Sequence, residues 1–322
     1  MAIATTTTLA NVLRTVYEPI LSDLVFGNDY LFQLPGAAAE PTADGYAAKK
    51  LKGIFPVVPS RGGSSYNWPV RQATTAAAAY VEGQGAPAPG NNTYLMASLA
   101  YSAGYFWRSV EISGHAVDAL RDEGAIVEAI DREVRDAARA MQDLINTTFM
   151  GTAHLQLAID SAGTYAGINR ATYLNWGSYE AAVGGPLSVS ALADMIEALE
   201  DNDRGARHED LILLCPVNQV TNYGALVGAG AGTPVVTPAG GIADLGFSGY
   251  TFQGLPIFGI PDLTDTIWLA VHRPSVKWIM HRPLRFELKA TAGDSVKYLL
   301  TCALQMVVER PDLCGKLTGV TA

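Results

Sequence analysis

The stretch AYVEGQGAPAPGNNTYLMASLAYSAGYFW, residues 79–107, decides how this chain is read. Its second half alternates. Leu95, Ala97, Leu99, Tyr101, Ala103, Tyr105 and Trp107 fall in one phase, and Met96, Ser98, Ala100, Ser102, Gly104 and Phe106 in the other. A period of two places each set on its own face of a β-strand. The segment GQGAPAPGNN at 83–92 is dense in residues that turn a chain. Upstream, residues 66–70 and 80–82 supply an outgoing half, so the whole predicts a long hairpin with its tip at 83–92. A two-stranded arm is marginally stable by itself in water, and its open edges need a partner to cover them.

An extended amphipathic helix follows. Val127, Ile130, Val134, Ala138, Met141, Ile145 and Thr148 recur every three or four residues, which lines them along one helix face. The opposite face offers Glu128 with Arg132, Asp131 with Arg135, and Arg139 with Asp143, all opposite in sign at i,i+4. From 124 to 150 such a helix spans about 40 Å at ~1.5 Å per residue. Gly151 is expected to stop it.

Residues 152–186 read as irregular. Ser188 or Ser190 is placed to cap a second helix with Val189, Leu192, Met195, Ile196 and Leu199 on its buried face. The apolar run 211–215 is a buried strand, and 216–226 a short helix with Pro216 in its first turn. Residues 227–249, rich in Gly, Pro and Ala, read as a long loop, and 250–258 and 266–271 as strands. Leu284, Phe286 and Leu288 alternate with Arg285, Glu287 and Lys289. Val296, Tyr298, Leu300, Cys302, Leu304, Met306 and Val308 then line one face of a long strand. Within residues 1–60, Leu9, Val12, Leu13, Val16 and Ile20 have helix-like spacing, while Pro35, Pro41, Pro56 and Pro59 prevent a long element. This segment reads as an arm wrapping over other parts, or as a small subdomain on its own core.

Composition narrows the classes. At 322 residues the chain has room for a large core, and 49% of it is hydrophobic against 16% charged. The net charge of −9, with only 22 Lys plus Arg and no basic run, argues against a nucleic-acid groove, which needs clustered positive charge. Cys215, Cys302 and Cys314 are an odd number without CxxC spacing, which fits a reducing site of synthesis. Residues 1–10 lack the basic and apolar regions of a signal peptide, and no apolar run approaches the ~18 residues of a membrane span.

No catalytic constellation stands out. Gly228, Gly230 and Gly232 lack the Lys-Ser/Thr and helix start that a phosphate loop needs. His208, Glu209 and Asp210 read as a solvated loop beside Arg204 and Arg207. His272 and His281 belong to no metal motif, and His115 and His154 fall at helix ends. Residues 246–249 have the wrong spacing for a nucleophile elbow. No metal and no cofactor are expected. A chain that spends this much length on an arm reads as one that holds copies of itself together.

The order of these parts resembles the HK97-type major capsid proteins of tailed bacteriophages. Three stretches carry the likeness: residues 79–99 followed by VEIS at 110–113, LINTTFMGT at 144–152 with GINRATY at 167–173, and FQGLPIFGIPDL at 252–263. The resemblance implies an α+β fold. Its parts would be an N-terminal arm (1–60), a hairpin called the E-loop with its return strand (61–112), and a spine helix (113–151). A central A-domain (152–265), long strands of a peripheral P-domain (266–310) and a C-terminal segment (311–322) would follow.

It also implies pentamers and hexamers closing an icosahedral head in the virion around double-stranded DNA, built in the host cytoplasm. A separate scaffold protein, a portal and a decoration protein are the implied partners, with no membrane. The same resemblance implies that a rounder precursor shell expands on DNA packaging, so that the two particles differ in diameter.

Arg61, Arg71, Tyr80, Tyr94 and Leu95 are the expected interface residues of the hairpin. Gly83, Gly85, Gly90 and Gly104 are expected to let it bend, and Gly124 to mark a bend at the helix start. The founding member links its subunits through a hairpin Lys. No Lys occurs here between Gly53 and Val276, so the shell is expected to be non-covalent. The alternatives are an encapsulin-type compartment of the same fold and, from another class, an enzyme using the Gly-rich loop.

Overall fold

The computed structural model describes residues 55–60, 62–71, 94–113, 123–201, 204–230, 250–292 and 295–321. A short strand β1 (Val57–Pro59) precedes the hairpin of β2 (Ser65–Arg71) and β3 (Tyr94–Ala100). The two pair antiparallel, with Tyr66 opposite Leu99 and Trp68 opposite Ala97. The expected unbroken strand through 95–107 is interrupted. A 3-10 turn at Tyr101–Gly104 separates β3 from β4 (Tyr105–Ser113), which crosses into a different sheet. Gly104 shows why: a Cβ there would lie 1.8 Å from the Leu304 carbonyl oxygen. This glycine, expected to be a hinge, is buried where two backbones meet.

Helix α1 (Glu123–Met150) ends at Gly151, whose N–H closes on Thr147 O at 3.2 Å. Val134, Ala138, Met141 and Ile145 are buried as the periodicity requires. On the outer face Arg139 pairs with Asp136 at 3.8 Å rather than with Asp143. Both are exposed, so the exchange costs little. The side chains of Glu128 and Asp131 lie outside the described residues. Gly124 falls inside α1, in its first turn.

The region 152–186 is more ordered than its sequence indicates. It contains α2 (Leu155–Ala158), a small hairpin of β5 (Thr164–Tyr165) and β6 (Ile168–Asn169), and strand β7 (Tyr179–Pro186). Ser188 then caps α3 (Val189–Glu200), its Oγ accepting from Ala191 N at 3.1 Å. Leu192, Met195, Ile196 and Leu199 form the buried face, whereas Val189 is exposed and lies off it. Strand β8 (Leu211–Cys215) is buried throughout. Helix α4 (Val217–Gly230) runs past Leu226 and includes Gly228 and Gly230, which the sequence placed in a loop.

Strands β9 (Thr251–Phe252) and β10 (Leu255–Gly259) turn through Gln253 and Gly254, both at positive φ. Then come β11 (Trp268–His272), the long β12 (Val276–Ala292) and β13 (Ser295–Val308), and β14 (Gly315–Thr321).

These strands form two main sheets. A four-stranded sheet has the order β1-β12-β13-β4, and a six-stranded one the order β7-β14-β11-β8-β10-β9. The C-terminal segment thus supplies an interior strand, β14, parallel to β7 and antiparallel to β11. Alternation on β8 and β11 divides two cores. Leu211, Leu213, Cys215, Trp268 and Ala270 share a core with α3 and with Leu317 and Val320 of β14, while Ile212, Leu214, Leu269 and Val271 join the core under α1. All three cysteines are free and buried, and burial pushes each thiol up to about 12. They are packing residues, not reactive ones.

Candidate assembly surfaces

The four-stranded sheet packs one face on the core that holds α1; its other face is buried at Ile279, Ala303, Gln305 and Val307 and opens only toward the start of β4. Phe106 and Val110 of β4 and Tyr298, Leu300 and Cys302 of β13 are buried in the core that holds α1, with Cys302 Sγ 3.8 Å from Met141 Sδ. Register fixes what the other face shows. Trp107, Thr301 and Arg285 form one cross-strand row, and Tyr105, Ala303 and Arg282 the next. Trp107 is 65% exposed and Tyr105 52%, and both arginines are exposed. Opposed residues in a sheet share a face, so the two aromatic rings of the edge strand β4 lie on the same face as the two guanidinium groups of β12, with β13 between them. Tyr105 also meets the edge of the His281 ring at 6.0 Å, and His281 stacks on Tyr101 at 4.7 Å. Aromatic rings and Arg together are the residue types that dominate protein contacts.

The hairpin supplies a second surface. Tyr94 (60% exposed) and Met96 (65%) point outward from β3. Leu95 does not. It is half-buried against the chain's own core and, with Val70, Ile168 and Trp176, lines a cavity of about 260 Å³. Its expected role as an interface anchor is therefore corrected to internal packing: a one-residue step along a strand reverses the face. Arg71 lies opposite Tyr94 in the ladder, with its side chain outside the described residues. Arg61, Tyr80, Gly83, Gly85 and Gly90 lie outside them as well. Tyr105, Trp107 and Met96 were not singled out from sequence. For Tyr105 and Trp107 the signal was the aromatic content of both phases of the alternation, which one buried face does not explain.

Beneath the hairpin, Arg170 organises the body. It is 1% exposed, and its guanidinium donates to Leu157 O at 2.9 Å, Ala158 O at 2.6 Å and Ala162 O at 2.7 Å. These bonds take up carbonyls at the end of α2 and fix the turn that follows. Ala166 O, in the turn between β5 and β6, accepts from Ser98 N of β3 at 2.9 Å, while Trp68 of β2 packs 6.5 Å from Trp176.

Several polar residues singled out from the sequence have structural partners. His208, expected to be solvated, bonds Glu200 through Nδ1 and the Gln253 carbonyl through Nε2. The Gln253 carbonyl first, and then Glu200, raise its pKa. His272 lies 2.6 Å from Ser275 Oγ and 3.7 Å from Asp210, and burial lowers its pKa. His154 packs edge-on to Phe149 at 5.0 Å. Lys316 sits between Asp160 (3.5 Å) and Glu180 (3.7 Å), tying β14 to its neighbours. Among the described residues no group of three or more His, Cys, Asp or Glu is placed to hold a metal ion. No described helix is long and apolar enough to cross a membrane.

Neither a family model nor a curated protein matches this sequence. Solved structures do. The capsid subunit of cyanophage A-1(L) superposes with a TM-score of 0.69 at 15% identity, over 90% of this chain and 98% of that one. The capsid of cyanophage P-SCSP1u gives 0.56 at 13% identity, over 92% and 93%. A virus-like particle from Pyrococcus furiosus gives 0.52 at 11% identity, over 96% and 99%. The chain has the HK97-like capsid fold, mixing helices and strands in the α+β arrangement that its sequence resembles.

Proposed function

We propose that this chain is the major shell protein of a tailed-phage head, assembling through its own copies into pentamers and hexamers around double-stranded DNA. The observation that carries this reading is the open end of one face of the four-stranded sheet, where Trp107 and Tyr105 are exposed on the same face as Arg282 and Arg285 in a chain of capsid fold. A monomer gains nothing by keeping two large aromatics in water on an edge strand.

The outward residues of one hairpin, Tyr94 and Met96, would lie on the open sheet of the next subunit. Covering the exposed part of each ring there would gain about 2–4 kcal/mol, from ~25 cal/mol per Å² over part of its ~150–250 Å². Association entropy consumes much of this at any one contact. Closure of a shell repeats the contact many times, so a modest gain per pair suffices. No Lys lies between Gly53 and Val276, which supports a shell held without hairpin cross-links. The work of the chain is binding rather than turnover. A scaffold protein and a portal are proposed partners, and the virion its location.

Negative-stain electron microscopy of the purified chain, expressed with and without the neighbouring upstream gene, tests this. Closed particles, tubes or sheets of rings are expected, and dependence on the neighbour would identify a scaffold. A small monodisperse species in both preparations would overturn the proposal.

A further inference from the structure

Each strand of the hairpin makes a hydrogen-bonded attachment to the body, besides the packing of Trp68 near Trp176 and of Leu95 on the core. On β3 the contact is Ser98 N to Ala166 O. On β2 it converges on a single residue, Glu309, just beyond the end of β13. Tyr66 and Trp68 lie two apart on β2 and so share a face. Tyr66 Oη donates to Glu309 Oε1 at 2.8 Å, and Trp68 Nε1 donates to the Glu309 carbonyl at 3.2 Å. The other carboxylate oxygen receives Lys277 Nζ of β12 at 2.6 Å, and Glu309 N donates to Ser275 O at 2.7 Å. Glu309 is thus gripped by the body on one side and holds both aromatic anchors of the hairpin on the other.

We propose that Glu309 is the positioning residue that sets the angle of the hairpin against the subunit. Two attachments on different strands define an orientation, whereas one defines only a pivot. The surrounding space allows a swing. A cleft of about 1170 Å³ opens between the hairpin and the body, lined by Asn67 and Pro69 on one wall and Leu174 and Lys277 on the other. The lysine and carboxylate are only 28% and 21% exposed, so solvent screens the pair less than it would a surface pair. The attachment also reaches the six-stranded sheet. Asp312, three residues on, accepts from Arg310, and its carbonyl accepts from Arg204 at 2.7 Å. Arg204 also donates to Gly177 O at 3.1 Å. A change of hairpin angle is thereby linked to the ends of both sheets. The consequence for assembly rests on the shell function proposed above: the hairpin angle sets the angle between neighbours, and with it the curvature.

Amide hydrogen exchange on unassembled subunits, paired with particle-size measurement, tests this. Glu309→Ala is expected to speed exchange across 65–71 and 94–100 roughly ten- to a hundredfold, as befits loss of a charge-assisted bond, while α1 and β8 stay at wild-type rates. Particle diameters should spread. Glu309→Gln, which keeps an acceptor for Tyr66 but not the charge for Lys277, should show a smaller effect. Tyr66→Phe should add little in the Glu309→Ala background, because both changes break one contact. Wild-type exchange in the hairpin of Glu309→Ala, or full additivity of Tyr66→Phe, would overturn the proposal. If Glu309→Ala also loosens α1, the Gln and Phe variants carry the same test. If wild-type subunits form no particles at all, the shell function fails, and the exchange result still decides the role of Glu309.

Discussion

The two main sheets of this subunit handle their faces in opposite ways. In the six-stranded sheet, β8 and β11 send alternate side chains into two separate cores, and every residue of β8 is buried. The four-stranded sheet has α1 on one face; its other face buries Ile279, Gln305 and Val307 at one end and leaves Trp107, Tyr105, Arg282 and Arg285 exposed at the other. A sheet buried on both sides is complete within one chain. One with aromatics facing water at its edge is complete only when another surface covers it. On the proposed shell function, the difference separates residues that fold the subunit from residues that would join subunits.

Three substitutions sharpen or break that division. Leu213→Asp puts an unpaired carboxylate at a position with 0% exposure in the middle of the six-stranded sheet. It should cost more than ~4 kcal/mol and abolish soluble protein. A soluble variant with a normal melting curve would show that this sheet is not the folding core. Gly104→Ala forces a methyl group against the Leu304 carbonyl, where the ideal position lies 1.8 Å away. A cost of about 1–3 kcal/mol is expected in chemical denaturation, since the backbones of β4 and β13 must part. An unchanged midpoint would mean that Gly104 is a free joint after all. Trp107→Glu should leave monomer stability within about 0.5 kcal/mol, as for other exposed positions, yet abolish particles in the microscope. Particles of normal yield would remove the open face from the interface.

Much of this was legible locally. The stripe Val134, Ala138, Met141 and Ile145, the run 211–215 and the alternation from Tyr298 to Val308 all appear where the pattern placed them. Ser188 proved the cap among two candidate serines. Strand β7 escaped notice because Gly184 and Gly185 dilute its pattern, and β14 because Gly315 and Gly319 do the same. The small residue at Gly315 has a tertiary reason: a Cβ would press on Met195 Cγ at 3.0 Å. The expected interface residues divide between the two faces of β3. Tyr94 faces outward, Leu95 turns inward, and the exposed Trp107 was not singled out, because strand alternation sorts residues into two faces without saying which is covered.

What the sequence by itself determined is therefore the set of elements and, through their order, the resemblance to a capsid subunit. Periodicity depends on neighbours two to four positions away, and those are visible in a string of letters. Only the tertiary structure decided where the return strand breaks, which sheet face stays open, and what holds the hairpin. Those depend on partners distant in sequence. Gly104 answers to Leu304, and Tyr66 reaches Glu309 across 243 positions. Contacts of that kind arise from how elements pack, and no local pattern encodes them.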